Sequence, residues 1–95
     1  MELNELPGSE LILPGLEDLY HGRNNTIGSL LISIASTRLT AAGLDIPQMS
    51  LVSKPELALY NYLQIDREDA YPYYNALLSS LNRFCAALEL KSKYQ

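Results

Sequence analysis

An all-α domain is what these 95 residues predict, as a small four-helix bundle or an orthogonal helical array with an extended N-terminal arm. Three observations carry that expectation. Leucine supplies 19 residues, suited to helix-on-helix packing, and no internal repeat of 20 to 50 residues is visible. Apolar positions recur at helical spacing in four segments, each bounded by capping or turn residues. No second strand-like run exists to pair with Leu11–Leu13, the one short apolar run that reads as extended.

The arm is expected over residues 1–13, with a turn at Pro7-Gly8 and Leu11–Leu13 lying over a helix groove. A single helical domain then spans 14–92. Pro14 suits a helix start, with Glu17 and Asp18 in the first turn, where the helix dipole favours acids. Leu16, Leu19 and Tyr20 share a face, and Gly22 ends this first helix as a C-cap.

The second helix is expected from Thr26 to Ala42, about four and a half turns long, capped by Asn24 or Asn25 and stopped by Gly43, Leu44 and Pro47. Arg38 is its one charged residue. Ile27, Leu30, Leu31, Ile34 and Ala35 form an apolar face, and Ser29, Ser33, Ser36, Thr37 and Thr40 lie opposite. Surface helices normally carry charge on the outer side, so this one is expected to be covered all round. Either another helix of the chain covers it or a second copy does, packed across a twofold axis.

Gln48–Val52 reads as a linker. Ser53 and Glu56 fit a capping box that opens the third helix, running to about Leu63 with Leu57 and Tyr60 inward, Leu63 a further candidate for that side, and Leu59 and Tyr62 on a flank. Asp69 then caps the fourth helix, expected over Ala70–Leu90. Tyr74, Leu78, Leu81, Cys85 and Leu88 step along it as a bundle seam, widened by Leu77 and Phe84. Residues 91–95 are expected to fray.

Composition narrows the function classes. Net charge is −4, and residues 1–20 hold five acids with no Lys or Arg. The remaining 75 residues hold six acids and seven bases, so no basic stripe is available to displace counterions from phosphates, and nucleic acid is not an expected partner. The longest uncharged stretch, Asn24–Thr37, is too short and polar for a bilayer span, so no membrane association is expected. An acidic N-terminus without an apolar core segment does not resemble a secretory signal. One cysteine suits a reducing compartment, and the expected location is cytoplasmic.

Candidate chemistry is sparse. His21, Arg23, Asn25 and Thr26 precede the second helix, whose free N–H groups and positive dipole end suit an anion. The segment lacks the G-x-x-x-x-G-K-[ST] arrangement of a phosphate loop, and capping alone accounts for its residues. His21 and Cys85 are the only residues of their types, too few for a zinc site. Asp66, Glu68 and Asp69 lack the glycine and glutamate that a calcium loop needs at its sixth and twelfth positions, where Tyr71 and Leu77 stand. No catalytic residue, cofactor or metal is expected.

The compositional oddity is seven tyrosines beside one Phe and no Trp. Five cluster at 60, 62, 71, 73 and 74, around the corner between the third and fourth helices. Tyrosine joins an apolar body to a wet hydroxyl and suits interfaces. The expected function is therefore a non-catalytic protein-interaction module, such as an adaptor, regulatory or accessory subunit, acting as a homodimer. Its contact residues would be Ser29, Ser33, Ser36, Thr40, Tyr60, Tyr62, Tyr71 and Tyr73. The alternative is a small anionic-ligand or enzyme module using the loop before the second helix. A weaker one is an acidic, antitoxin-like or transcription-associated regulator.

Overall fold

A computed structural model describes residues 3–47 and 51–93. These form a 3₁₀ turn at Leu3–Glu5 and five α-helices: α1 (Ser9–Tyr20), α2 (Ile27–Ile34), α3 (Ser36–Ala41), α4 (Pro55–Asp66) and α5 (Ala70–Lys93). No strand occurs among the described residues. The fold is an all-α array, in which α2 packs against α1, α4 and α5, while α4 pairs with α5.

The helix α2 sits at the centre because its side chains allow it. Leu30, Leu31, Ile32, Ser29 and Ser33 are all buried. Its other advantage is Gly28, which meets Gly15 of α1 backbone to backbone. A Cβ on Gly28 would stand 2.6 Å from the Leu11 carbonyl oxygen and 2.7 Å from the Gly15 Cα. Side chains on either residue would hold the two helices apart. The remaining core gathers Ile12 and Leu19 of α1, Leu59 and Leu63 of α4, and Leu77, Leu81, Phe84, Cys85 and Leu88 of α5.

The expected arm is instead helical from Ser9. Gly8, at φ 82°, caps α1, and the helix passes through Pro14. Pro14 leaves the Glu10 carbonyl without its usual amide partner. Both residues are exposed, so water can take that bond. Burial of Ile12 and Leu19 on one face compensates for the break in the ladder.

The long second helix divides at Ala35, whose φ of −105° and ψ of 19° turn the chain into α3. The turn lays α3 against α5. There Arg38 donates to both carboxylate oxygens of Glu89 at 2.7 and 3.1 Å, and to Asn82 Oδ1 at 3.3 Å. At the start of α2 the cap is Thr26, not Asn24 or Asn25: Thr26 and Ser29 bond each other's backbone amides reciprocally.

The glycine stops form as expected. After α1 the Arg23 amide bonds the Asp18 carbonyl at 2.8 Å and the Gly22 amide that of Leu19 at 3.0 Å. After α3, Leu44 bonds Leu39 and Gly43 bonds Thr40, both at 3.0 Å. Each pair is a Schellman motif, with the glycine at positive φ.

The Ser53–Glu56 capping box does not form. Pro55 takes the first helical position, so Lys54 becomes the cap, at φ 50° and without a side-chain capping bond. The helix continues to Asp66, past Leu63. Its inward face is Leu59 and Leu63, while Leu57 is 55% exposed. In α5 the seam turns toward Leu77 and Phe84, leaving Tyr74 and Leu78 half-buried, and the helix runs on through Lys93. Of the expected linker, Gln48, Met49 and Ser50 lie outside the described residues.

Candidate protein-binding face

Two stretches without charge lie side by side on α4 and α5. Residues 57–65 and 70–82 contain no Asp, Glu, Lys or Arg. Between the two helices a groove of about 480 Å³ is lined by Glu56, Leu57, Tyr60, Tyr71 and Tyr74. Tyr60 is its hub. Its ring meets Tyr74 edge-on at 5.6 Å and Tyr71 edge-on at 6.4 Å between centroids. That arrangement sets the positive ring edges against negative faces, the geometry aromatic pairs prefer.

The groove is apolar and open. Tyr71 is 63% exposed beside Leu57, and Ile65 further along α4 is 76% exposed. Burial of Tyr74, and then the nearby Glu56 carboxylate, push its phenol above the ordinary tyrosine range. Asn61 and Gln64 follow Leu57 and Tyr60 by one helical turn, and Asn75 follows Tyr71 by one turn. All three are exposed. Large apolar bodies surrounded by neutral amides form the composition that interface centres favour, because charge there would have to be desolvated.

Tyrosines 62 and 73 do not join this groove. They line a separate cleft of about 140 Å³ with Ile27, Leu63, Asp66 and Arg67. The Arg67 guanidinium lies 4.0 Å above the Tyr73 ring, held by the Asp69 carboxylate at 3.0 Å. This contact closes the α4–α5 corner upon itself. The tyrosine cluster thus divides between an open apolar site and a self-satisfied polar one.

The first two members of the small-residue stripe, Ser29 and Ser33, are covered by the chain, while Thr37 and Thr40 are exposed. Ser29 is fully buried, bonded to Thr26, and Ser33 is 7% exposed. The Ser33 hydroxyl has no hydrogen-bond partner. Ser36 is half-buried and Thr40 exposed, both in α3 beyond the break. Close helix approach was the expected use of this stripe, and α1 provides it at Gly15 and Gly28. A second copy has no access to Ser29 or Ser33.

The loop proposed for an anion already holds one. Asp18 accepts two bonds from Arg23, at 2.8 and 3.1 Å, and one from the Thr26 hydroxyl at 2.9 Å. Those bonds hold its carboxyl below the ordinary aspartate range. The Arg23 side chain and the cap of α2 are therefore occupied by the chain's own carboxylate. His21 and Asn25 stand exposed beside them, and His21 Nδ1 lies 2.9 Å from the Glu17 carbonyl. Cys85 is buried in the core, and burial pushes its thiol above the usual range. No group of three or more His, Cys, Asp or Glu among the described residues is arranged to hold a metal ion.

Comparison with known proteins adds no relative. The chain matches no family model, no curated protein and no solved structure. The functional reading therefore rests on the face itself. Among the described residues, no helix is long and apolar enough to cross a membrane.

Leu57, Ile65 and Tyr74 are members of this face that the sequence reading passed over or turned inward. The signal that marks them is the absence of charge from 57–65 and from 70–82, a pattern easier to notice than the helix phase.

Proposed function

We propose that this protein is a non-catalytic interaction module, an adaptor or accessory subunit, that binds protein through the outer face of α4 and α5. The observation that carries this reading is the open tyrosine groove between two helical stretches without charge. An isolated exposed apolar residue is ordinary on a protein surface, whereas a grouped apolar patch marks a contact site. The partner's chemistry follows from the face. It presents a largely apolar helical surface, because Glu56 is the one charged residue of the groove's lining and the other four are Leu57, Tyr60, Tyr71 and Tyr74. A cytoplasmic setting suits the single free cysteine, Cys85.

The test is a photo-crosslinking residue at Tyr71, compared with one at Asn25, in the native cell. Tyr71 should yield discrete protein adducts, and Asn25 should yield few. Equal yields at the two positions, or none at Tyr71, would remove the reading.

A further inference from the structure

We infer that the groove between α4 and α5 receives a guanidinium group, carried by an arginine side chain of the partner protein. The inference rests on this face binding protein, and it names the group that the groove recognises. Four of the five lining residues are Leu57, Tyr60, Tyr71 and Tyr74, and the fifth is Glu56. No Lys or Arg is among them, and Glu56 makes no ion pair among the described residues. A partner that covers the groove also takes water from the Glu56 carboxylate. A carboxylate stripped of water is costly unless a cation meets it. The partner's matching group is therefore positive.

The rings select the kind of cation. Tyr60 stands at 82° to Tyr71 and at 84° to Tyr74, so the rings present faces in two directions. The negative face of an aromatic ring attracts a cation. The Glu56 carboxylate also acts on the Tyr74 phenol, which puts its charge and the ring surfaces in one site. Guanidinium suits this pairing better than the ammonium of lysine. It is planar, so it stacks on a ring while its N–H groups fork onto a carboxylate, and it is more weakly hydrated. The chain assembles the same combination beside the groove: Arg67 lies 4.0 Å above the Tyr73 ring and donates to Asp69 at 3.0 Å. The α4–α5 corner thus holds two tyrosine–carboxylate sites. One is filled by the chain's own arginine, and the other sets three rings and a carboxylate together without a basic residue of the chain. The groove's volume of about 480 Å³ lies within the usual range for ligand pockets, about 300–1,000 Å³. Tyrosine and arginine are also residues on which binding energy concentrates at interfaces.

Titration of the full chain with Nα-acetylarginine methylamide at millimolar concentration, followed by backbone amide shifts, tests this. The analogous citrulline compound serves as the uncharged probe. The arginine probe should give saturable shifts confined to residues 56–60 and 71–75, and the citrulline probe none. Glu56→Gln and, separately, Tyr71→Leu should each weaken binding about three- to fivefold, with helicity by circular dichroism unchanged. Glu10→Gln, which removes the same charge from the exposed side of α1, should leave binding intact. Glu56→Gln should also lower the yield of protein adducts at a Tyr71 crosslinker. Shifts spread over the whole chain, binding that survives both groove substitutions in folded protein, or an undiminished adduct yield overturns the inference. Equal binding of the corresponding lysine probe or of tetramethylammonium refutes guanidinium as the group selected. If Tyr71 captures protein while the arginine probe leaves the groove unmoved, only the guanidinium is refuted and the binding face stands. If the probe binds but Tyr71 captures nothing, a protein as the source of the arginine is refuted.

Discussion

Gly28 is the residue on which the packing of α1 against α2 turns. Its would-be Cβ meets backbone atoms, the Leu11 carbonyl oxygen and the Gly15 Cα, which cannot rotate away as a side chain would. Gly28→Ala should therefore force the helices apart and cost about 3 kcal/mol, read as a lower urea midpoint. An unchanged midpoint would mean that the two backbones are not in contact. Ser33 makes the opposite case. Its hydroxyl is buried without a partner, so Ser33→Ala should leave stability unchanged or raise it by about 1 kcal/mol. A loss larger than that would show that the oxygen is bonded. Ser33→Glu, by contrast, places a charge inside the fold and should unfold the chain rather than dissociate two copies. The smallness of this stripe was legible in the sequence, but what fills it was not. Size tells how near a neighbour can come and says nothing about which neighbour arrives.

Helix ends show the same division between local and distant causes. Gly22 and Gly43 were readable as stops because a Schellman motif is made within a few residues of chain. The Ser53 cap failed for an equally local reason that the capping pattern obscures. A residue preceding proline is disfavoured in the right-handed helical region. Lys54 therefore cannot serve as the first helical residue, and Ser53 cannot cap it. Lys54 takes the left-handed region instead, at φ 50°, where a side chain is strained. Lys54→Gly should relieve that strain and raise stability by about 0.5–1 kcal/mol, as a higher urea midpoint. A decrease would mean that the lysine side chain compensates by contacts of its own. The break at Ala35 and the helical start at Ser9 lay beyond local reading. The first comes with Leu39 entering the core and Arg38 reaching α5, 51 positions away at Glu89. The second depends on Ile12 and Leu19 finding α2, which favours continuing the helix through Pro14.

At the scale of the whole molecule, three of the four arginines fasten joints between helices, each to a carboxylate. Arg23 holds Asp18 where α1 passes to α2, Arg38 holds Glu89 between α3 and α5, and Arg67 holds Asp69 between α4 and α5. In each case the arginine hydrogen bond is the main cause holding the carboxyl below its ordinary value, 3.8 for the aspartates and 4.5 for Glu89. A carboxyl whose folded pKa is lowered binds fewer protons folded than unfolded across the interval between the two values. Its contribution is present in full above the unfolded value, and falls away as pH drops toward the folded one. The urea midpoint should accordingly hold between neutral pH and about pH 5, then decline as the solution approaches about pH 3. The three joints should not share that decline equally. Asp69 is gripped by a residue two positions away in one turn, and both side chains are largely exposed. Its ion pair constrains little beyond that turn. Asp18 is less exposed, and it joins the end of α1 to the capping threonine of α2 through a second bond. Protonating it loosens the two helices that meet at Gly15 and Gly28. Asp18→Asn should therefore flatten the acid dependence of the midpoint more than Asp69→Asn does. Equal flattening by the two variants would show that the Thr26 bond transmits nothing from the loop to the helix pair.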